Sequence, residues 1–182
     1  MTTTAAPLFA DPFQARLCDA LCQVARDAGQ TFTGTGALLC EPATGLPFLP
    51  LVLSKPDLKG DLPDVLLRLG HEASPYHDGF HLLSTDFEIE HVSCYLAPPI
   101  SPEAELISLF GSGSRFATAC FASLANGVHC AGVVNKDRSV TIFVQGRILF
   151  RSSPADALSR RRQFPVLARC DGGNSKHSGD IR

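Results

Sequence analysis

From the amino end, apolar positions first fall into a helical rhythm. Phe13, Leu17, Ala20, Leu21, Val24 and Ala28 recur every three or four residues, the spacing that lines one face of a helix. Asp11-Pro12 supplies the start, an N-cap carboxylate followed by a proline whose fixed φ suits the first helical position. Gly29 is the predicted stop, in left-handed geometry. The rhythm then changes. Gly36 to Cys40 is a short unbroken apolar run, as in a buried strand, and a second run, Phe48 to Leu53, follows the Pro/Gly-rich turn from Pro42 to Pro47. Leu62, Val65, Leu66 and Leu69 restore helical spacing within 61–70. Gly79 to Ser84 and Ile89 to Leu96 read as adjacent strands, separated by Thr85-Asp86.

In the second half, Ser101-Pro102-Glu103 opens a predicted short helix through Phe110, its acidic first turn suiting the helix dipole. GSGS, Gly111 to Ser114, leads into a longer helix, Arg115 to Asn126, closed by Gly127. Strands follow at Val128 to Val134 and Ser139 to Val144, and Gln145-Gly146 forms a hairpin turn into Arg147 to Phe150. Helices interspersed with strands in this order predict a three-layer α/β domain, a central mixed β-sheet flanked by helices. The expected boundaries are a flexible leader at 1–12, one domain at 13–152 and an Arg-rich segment with a polar tail at 153–182.

Composition narrows the function classes. The chain has 182 residues, 45% of them hydrophobic and 19% charged, which fits one globular domain rather than disorder. A net charge of −2 argues against a protein that coats a nucleic-acid duplex, which needs a basic excess. No apolar run approaches a membrane span, and Met1 to Thr4 lacks the charged flank and apolar core of a signal peptide. The expected location is therefore cytoplasmic. Seven cysteines, without any C-x-x-C pair, read as small buried hydrophobes in a reducing compartment.

Two stretches carry candidate chemistry. SPYHDGF, Ser74 to Phe80, places His77-Asp78-Gly79 where a loop enters a strand. An aspartate there can ligate a divalent metal or accept a proton from a hydroxyl, and Gly79 allows close approach to the backbone. A zinc-hydrolase reading of His77 and His81 fails, because four residues along a strand span about 13 Å. GSGSRFATA, Gly111 to Ala119, runs a glycine-serine turn into a helix, which offers backbone N–H groups and a positive dipole end to a phosphate. Arg115 can add a charge-assisted contact. No lysine follows as in a Walker loop, and Phe116 occupies the place of a dinucleotide fingerprint's third glycine.

SPYHDGF, a strand pair ending in SCYLAP (Ser93 to Pro98), then a helix and GSRFATA together resemble the diadenylate cyclase (DAC) family. That family carries His-Asp-Gly-Ala, a strand ending in a Phe-Leu-Pro-like segment and a Gly-Thr-Arg-His-Arg motif that opens a helix. The upstream DALCQVARDAG and GTGALLC are also similar to its first helix and strand. The likeness covers residues 13 to 150. It implies one ATP per domain, a divalent metal (Mg or Mn), and face-to-face homodimers in which two ATP condense to cyclic di-AMP and pyrophosphate. Carried over by motif, Asp78 is the catalytic residue, and His77, Asp78 and Asp137 are the metal candidates. Gly79, Phe80, Tyr95, Leu96, Gly113, Ser114 and Arg115 are the nucleotide and phosphate contacts.

The departures shape the functional expectation. Phe80 stands where the family has alanine, and Arg115-Phe116-Ala117 replaces Arg-His-Arg. Asn135-Lys136-Asp137 falls where a Ser-Glu-Glu stretch is usual. Each lost charged contact to phosphate costs about 1.5–3 kcal/mol. The resemblance thus implies a nucleotide-binding sensor or regulatory module, with ATP or a cyclic dinucleotide as ligand. A divergent active cyclase, with Phe80 stacking on the base or ribose, and a protein-interaction scaffold with an empty pocket remain open alternatives. Arg160 to Arg162 read as a solvated basic face.

Overall fold

The Asp11 carboxylate accepts the Phe13 N–H at 2.8 Å and so starts helix α1 (Pro12–Asp27), with Pro12 in its first turn. The computed structural model describes residues 9–42, 44–104 and 111–153. The expected leader up to residue 8, the body of the short helix proposed at 101–110 and everything from residue 154, including Arg160 to Arg162 and Cys170, lie outside the described residues. Helix α1 does not use the left-handed stop expected at Gly29. The chain leaves it at Ala28, whose backbone is extended (ψ 127°). Ala28 is buried against the α1 side of the core, so the chain turns early to cover it.

One seven-stranded mixed sheet organises the rest. Its strands are β1 (Gly34–Cys40), β2 (Phe48–Pro50), β3 (Phe80–Leu83), β4 (Ile89–Leu96), β5 (Val128–Asn135), β6 (Val140–Val144) and β7 (Arg147–Ser152). They lie in the order β2-β4-β3-β1-β5-β6-β7. The β1–β3 pair is parallel, with Ala37 opposite His81, and every other neighbouring pair is antiparallel. All residues of the central β1 are buried, as expected of a strand covered on both faces.

The alternation of side chains sends β1 residues to two separate cores. Ala37 and Leu39 join Leu17, Leu21 and Val24 of α1 and Leu66 of α2 (Leu62–Leu69). Leu38 and Cys40 join Phe116, Ala119 and Cys120 of α3 (Ser114–Ala122). Two helices therefore cover one face and α3 the other. Gly132 of β5 lets α1 come close, because a methyl group there would overlap Leu21 and meet Ile142 at 2.9 Å.

Two elements fall well short of their predicted extents. Helix α3 ends at Ala122 rather than Asn126, and Leu124 and Ala125 donate three residues back to Phe121 and Ala122 at 3.1 Å each. The Ser123 hydroxyl donates to the Cys120 carbonyl at 2.7 Å and accepts the Gly146 N–H at 2.9 Å, tying the helix end to the β6–β7 turn. The apolar run at 48–53 contributes only the short edge strand β2, and Leu49, Leu51 and Leu53 stay exposed. The hairpin at Gln145-Gly146 has positive φ at both residues, 48° and 73°, the signature of a type I′ turn. No helix among the described residues is long and apolar enough to cross a membrane.

Candidate functional site

The start of β3, the end of β4 and the N-terminus of α3 meet on the α3 side of the sheet. Between them lies an open cleft of about 450 Å³. Of the residues singled out from sequence, Asp78, Gly79, Phe80, Tyr95, Leu96, Gly113, Ser114 and Arg115 all line it. The SPYHDGF and GSGSRFATA segments, with thirty residues between Phe80 and Gly111 in sequence, thus form opposite walls of one cavity.

Each wall has a local cause. Gly79 has φ +77°, and a Cβ on it would stand 2.5 Å from the Cys94 carbonyl oxygen of β4. The close approach anticipated at this glycine is therefore made by the neighbouring strand. Ser93 sits in a bulge where the β3–β4 register shifts, with φ 50°. Its hydroxyl donates to the Asp78 carbonyl at 2.9 Å and its N–H to His81 Nδ1 at 3.3 Å. These bonds fix the backbone of Asp78 and leave its carboxylate exposed at the cleft mouth.

Phe80 is 3% exposed. Its ring lies against Gly36 of β1, where a Cβ would come within 2.5 Å of Cδ1. The ring is chiefly a core side chain forming the cleft floor, with Leu96 also buried there, whereas the Tyr95 ring is 58% exposed. On the opposite wall, Gly113 caps α3 with φ 83° and no side-chain capping bond. Within the glycine-serine turn read from sequence, the residue that caps the helix is thus a glycine.

Arg115 spans both walls. One guanidinium nitrogen, Nη2, donates to the His77 carbonyl at 3.1 Å. The other, Nη1, packs against bare Gly34, where a Cβ would stand 2.8 Å away. Burial pushes the Arg115 pKa down and the Asp78 carboxylate partly restores it. The same guanidinium bears on buried His81, whose pKa is pushed down to about 4, first by desolvation and then by Arg115.

The proposed metal set is brought together only in part, His77 with Asp78 but not with Asp137. His77 and Asp137 do not line the cleft that holds Asp78. The His77 Nδ1–H is taken by the Ser74 carbonyl, and its Nε2 lies 3.8 Å from Asp78 Oδ2. Asp137 Oδ1 accepts both the N–H (2.9 Å) and the hydroxyl (2.6 Å) of Ser139. Those bonds hold its carboxyl below the usual range, the side-chain bond first. Among the described residues, no group of three His, Cys, Asp or Glu is placed to hold a metal. Among the described cysteines, Cys18, Cys40, Cys94, Cys120 and Cys130 are buried as expected and Cys22 only partly so. The thiol pKa values of Cys40, Cys94 and Cys130 are pushed up to about 11, 11 and 12, first by burial.

No family model and no curated protein matches the sequence. Solved structures do resemble the fold. A hypothetical membrane spanning protein from Bacillus cereus superposes with a TM-score of 0.54 at 16% identity. The match covers 78% of this chain and 64% of that one, so the likeness spans less than two thirds of the neighbour's length. A double-cysteine mutant of DacA from Staphylococcus aureus gives a TM-score of 0.48 at 17% identity, over 79% of this chain and 89% of that one.

Sequence reasoning did not find Leu51, Thr118 and Asn135, which also line the cleft, nor the supporting Gly34 and Gly36. The glycines carried a usable signal. Two of them inside an apolar strand mark close approach by a neighbour, and here the neighbours are Arg115 and Phe80.

Proposed function

We propose that this domain binds a nucleotide, ATP or a related cyclic dinucleotide, in the cleft between β3–β4 and the start of α3, and acts as a sensor or regulatory module. The observation that carries this reading is the meeting of 78–80 and 112–115 around a single cavity of about 450 Å³. Its volume is in the range of small-molecule sites. The Tyr95 ring offers a stacking face for a base. The Gly113–Arg115 turn offers backbone N–H groups and a guanidinium to phosphate. The order of these segments along the chain is that of the DAC family, as read from sequence.

Turnover asks for more. Two nucleotides have to be held in line, which needs a second copy facing this cleft, and their triphosphates have to be neutralised. Phe116 and Ala117 occupy the positions where the family supplies two basic side chains. Asp78 is the carboxylate that lines the cleft, so a Mg²⁺ or Mn²⁺ ion accompanying the nucleotide would meet that ligand together with phosphate oxygens and water. These residues provide for binding better than for condensation.

Calorimetric titration with ATP, GTP and cyclic di-AMP tests the binding, and chromatography after incubation with ATP and Mn²⁺ or Mg²⁺ tests turnover. The expected result is saturable binding, weakened by Arg115→Ala, without product. Cyclic di-AMP formation that is lost in Asp78→Asn would replace the sensor reading with an active cyclase. No binding of any nucleotide would leave the interaction scaffold.

A further inference from the structure

A second cavity, of about 530 Å³, lies beyond Arg115 where the β5–β6 turn, β7 and the start of α3 converge. Ser112, Arg115 and Asn135 line both cavities. The charge of the second is unusual for this chain. Arg115, Lys136 and Arg151 face it together with one carboxylate, Asp137, a local excess of two positive charges in a protein whose net charge is −2. Such a concavity concentrates anions.

Two of the cations have neighbours that position them, while the Lys136 side chain is exposed. Arg151 lies with its Cζ 5.5 Å from the centre of the Phe116 ring. Gly34, at φ +109°, has no side chain to separate the Arg115 guanidinium from the Lys136 backbone; a Cβ there would lie 2.8 Å from the first and 3.5 Å from the second. Asp137 is occupied by its two bonds from Ser139. It keeps its negative charge, which those bonds stabilise, and so offsets one of the three cations.

We propose that this second cavity is a metal-independent subsite for the terminal phosphates of the nucleotide whose base and sugar occupy the main cleft. The proposal rests on the nucleotide-binding reading above. A polyphosphate that passes Arg115 leaves the neighbourhood of Asp78 and enters one walled by Lys136 and Arg151. The cations there take over the neutralisation that a bound divalent ion otherwise gives.

The test compares AMP, ADP, ATP and inorganic tripolyphosphate by calorimetry, in EDTA and in Mg²⁺, for the wild type and for Lys136→Ala and Arg151→Ala. Circular dichroism checks that the variants are folded, and Lys136→Gln provides a milder change of an exposed side chain. Affinity is expected to rise from AMP to ATP in EDTA. Each alanine variant should weaken ATP and tripolyphosphate about tenfold while leaving AMP within about twofold. Equal affinity for AMP and ATP in EDTA would overturn the subsite and leave nucleotide binding intact, as would ATP binding only with Mg²⁺. Tripolyphosphate binding that depends on Lys136, without binding of AMP or ATP, would refute the nucleotide reading and the subsite's place in it, leaving a bare anion site. No binding of any probe overturns both.

Discussion

The Arg115 guanidinium donates to the His77 main-chain carbonyl at 3.1 Å, so one side chain joins the first turn of α3 to the loop that precedes β3. That contact makes Arg115 structural as well as a candidate phosphate ligand. Arg115→Ala is expected to lower the melting temperature of the free protein, through the loss of a charge-assisted bond worth about 1.5–3 kcal/mol. Arg115→Lys should keep the charge but not the two-sided reach of the fork. Thermal melts with and without ATP check both, and the ligand-induced rise in melting temperature should be smaller in each variant than in the wild type.

His81 predicts an acid sensitivity of the fold. Its native pKa, about 4, lies below the ordinary value of 6.5. Between those values the unfolded chain binds a proton that the native protein does not. Stability from this group is therefore fully present above about pH 6.5 and is lost as the pH falls toward 4. The largest effect is about 3 kcal/mol. Urea denaturation across that range should show the decline, and His81→Gln should flatten it.

Gly36 and Phe80 form a coupled pair across β1 and β3. Gly36→Ala brings a methyl to within 2.5 Å of the ring, and overpacking of this kind costs about 1–3 kcal/mol. Phe80→Leu costs stability by itself but makes room. In a double-mutant cycle the two changes should be less damaging together than the sum of each alone, by at least about 0.5 kcal/mol. Additive losses would mean that the ring does not depend on the bare backbone at 36.

Thr35 Oγ1 and Thr141 Oγ1 are buried and have no hydrogen-bond partner among the described residues. Replacing a threonine by valine keeps the shape and removes the cost of the unpaired hydroxyl, about 1–3 kcal/mol. Thr35→Val and Thr141→Val should each raise the urea midpoint, with no change in its slope. A lowered midpoint would mean that the hydroxyl makes a bond of its own.

Much of the frame was legible because its signals are local. The stripe from Phe13 to Ala28 gave α1, and the Gln145-Gly146 pair gave the last hairpin. The cleft was legible for a different reason, since both of its walls are motif segments whose order resembles a known family. What stayed hidden depends on contacts between distant segments. Nothing local to Gly79 says that its neighbour is Cys94 of β4, and the buried fate of Phe80 depends on Gly36 of another strand. The proposed metal trio of His77, Asp78 and Asp137 was drawn from a pattern along the chain. It takes the β5–β6 turn to put Asp137 at the second cavity, away from the cleft that Asp78 lines.

The position of β1 at the middle of the sheet has a consequence for how the chain acquires its site. β1 is made early, yet Gly34 pairs with Asn135 and Leu39 with Cys130. Closing so long an interval is entropically costly and slow compared with local pairing. During synthesis from the amino end, α1 and β1 must therefore wait for β5 before the sheet is continuous. The β3–β4 hairpin can form first, but its cleft gains its far wall only when α3 docks against β5. The cleft should thus be completed late, in the same event that completes the core.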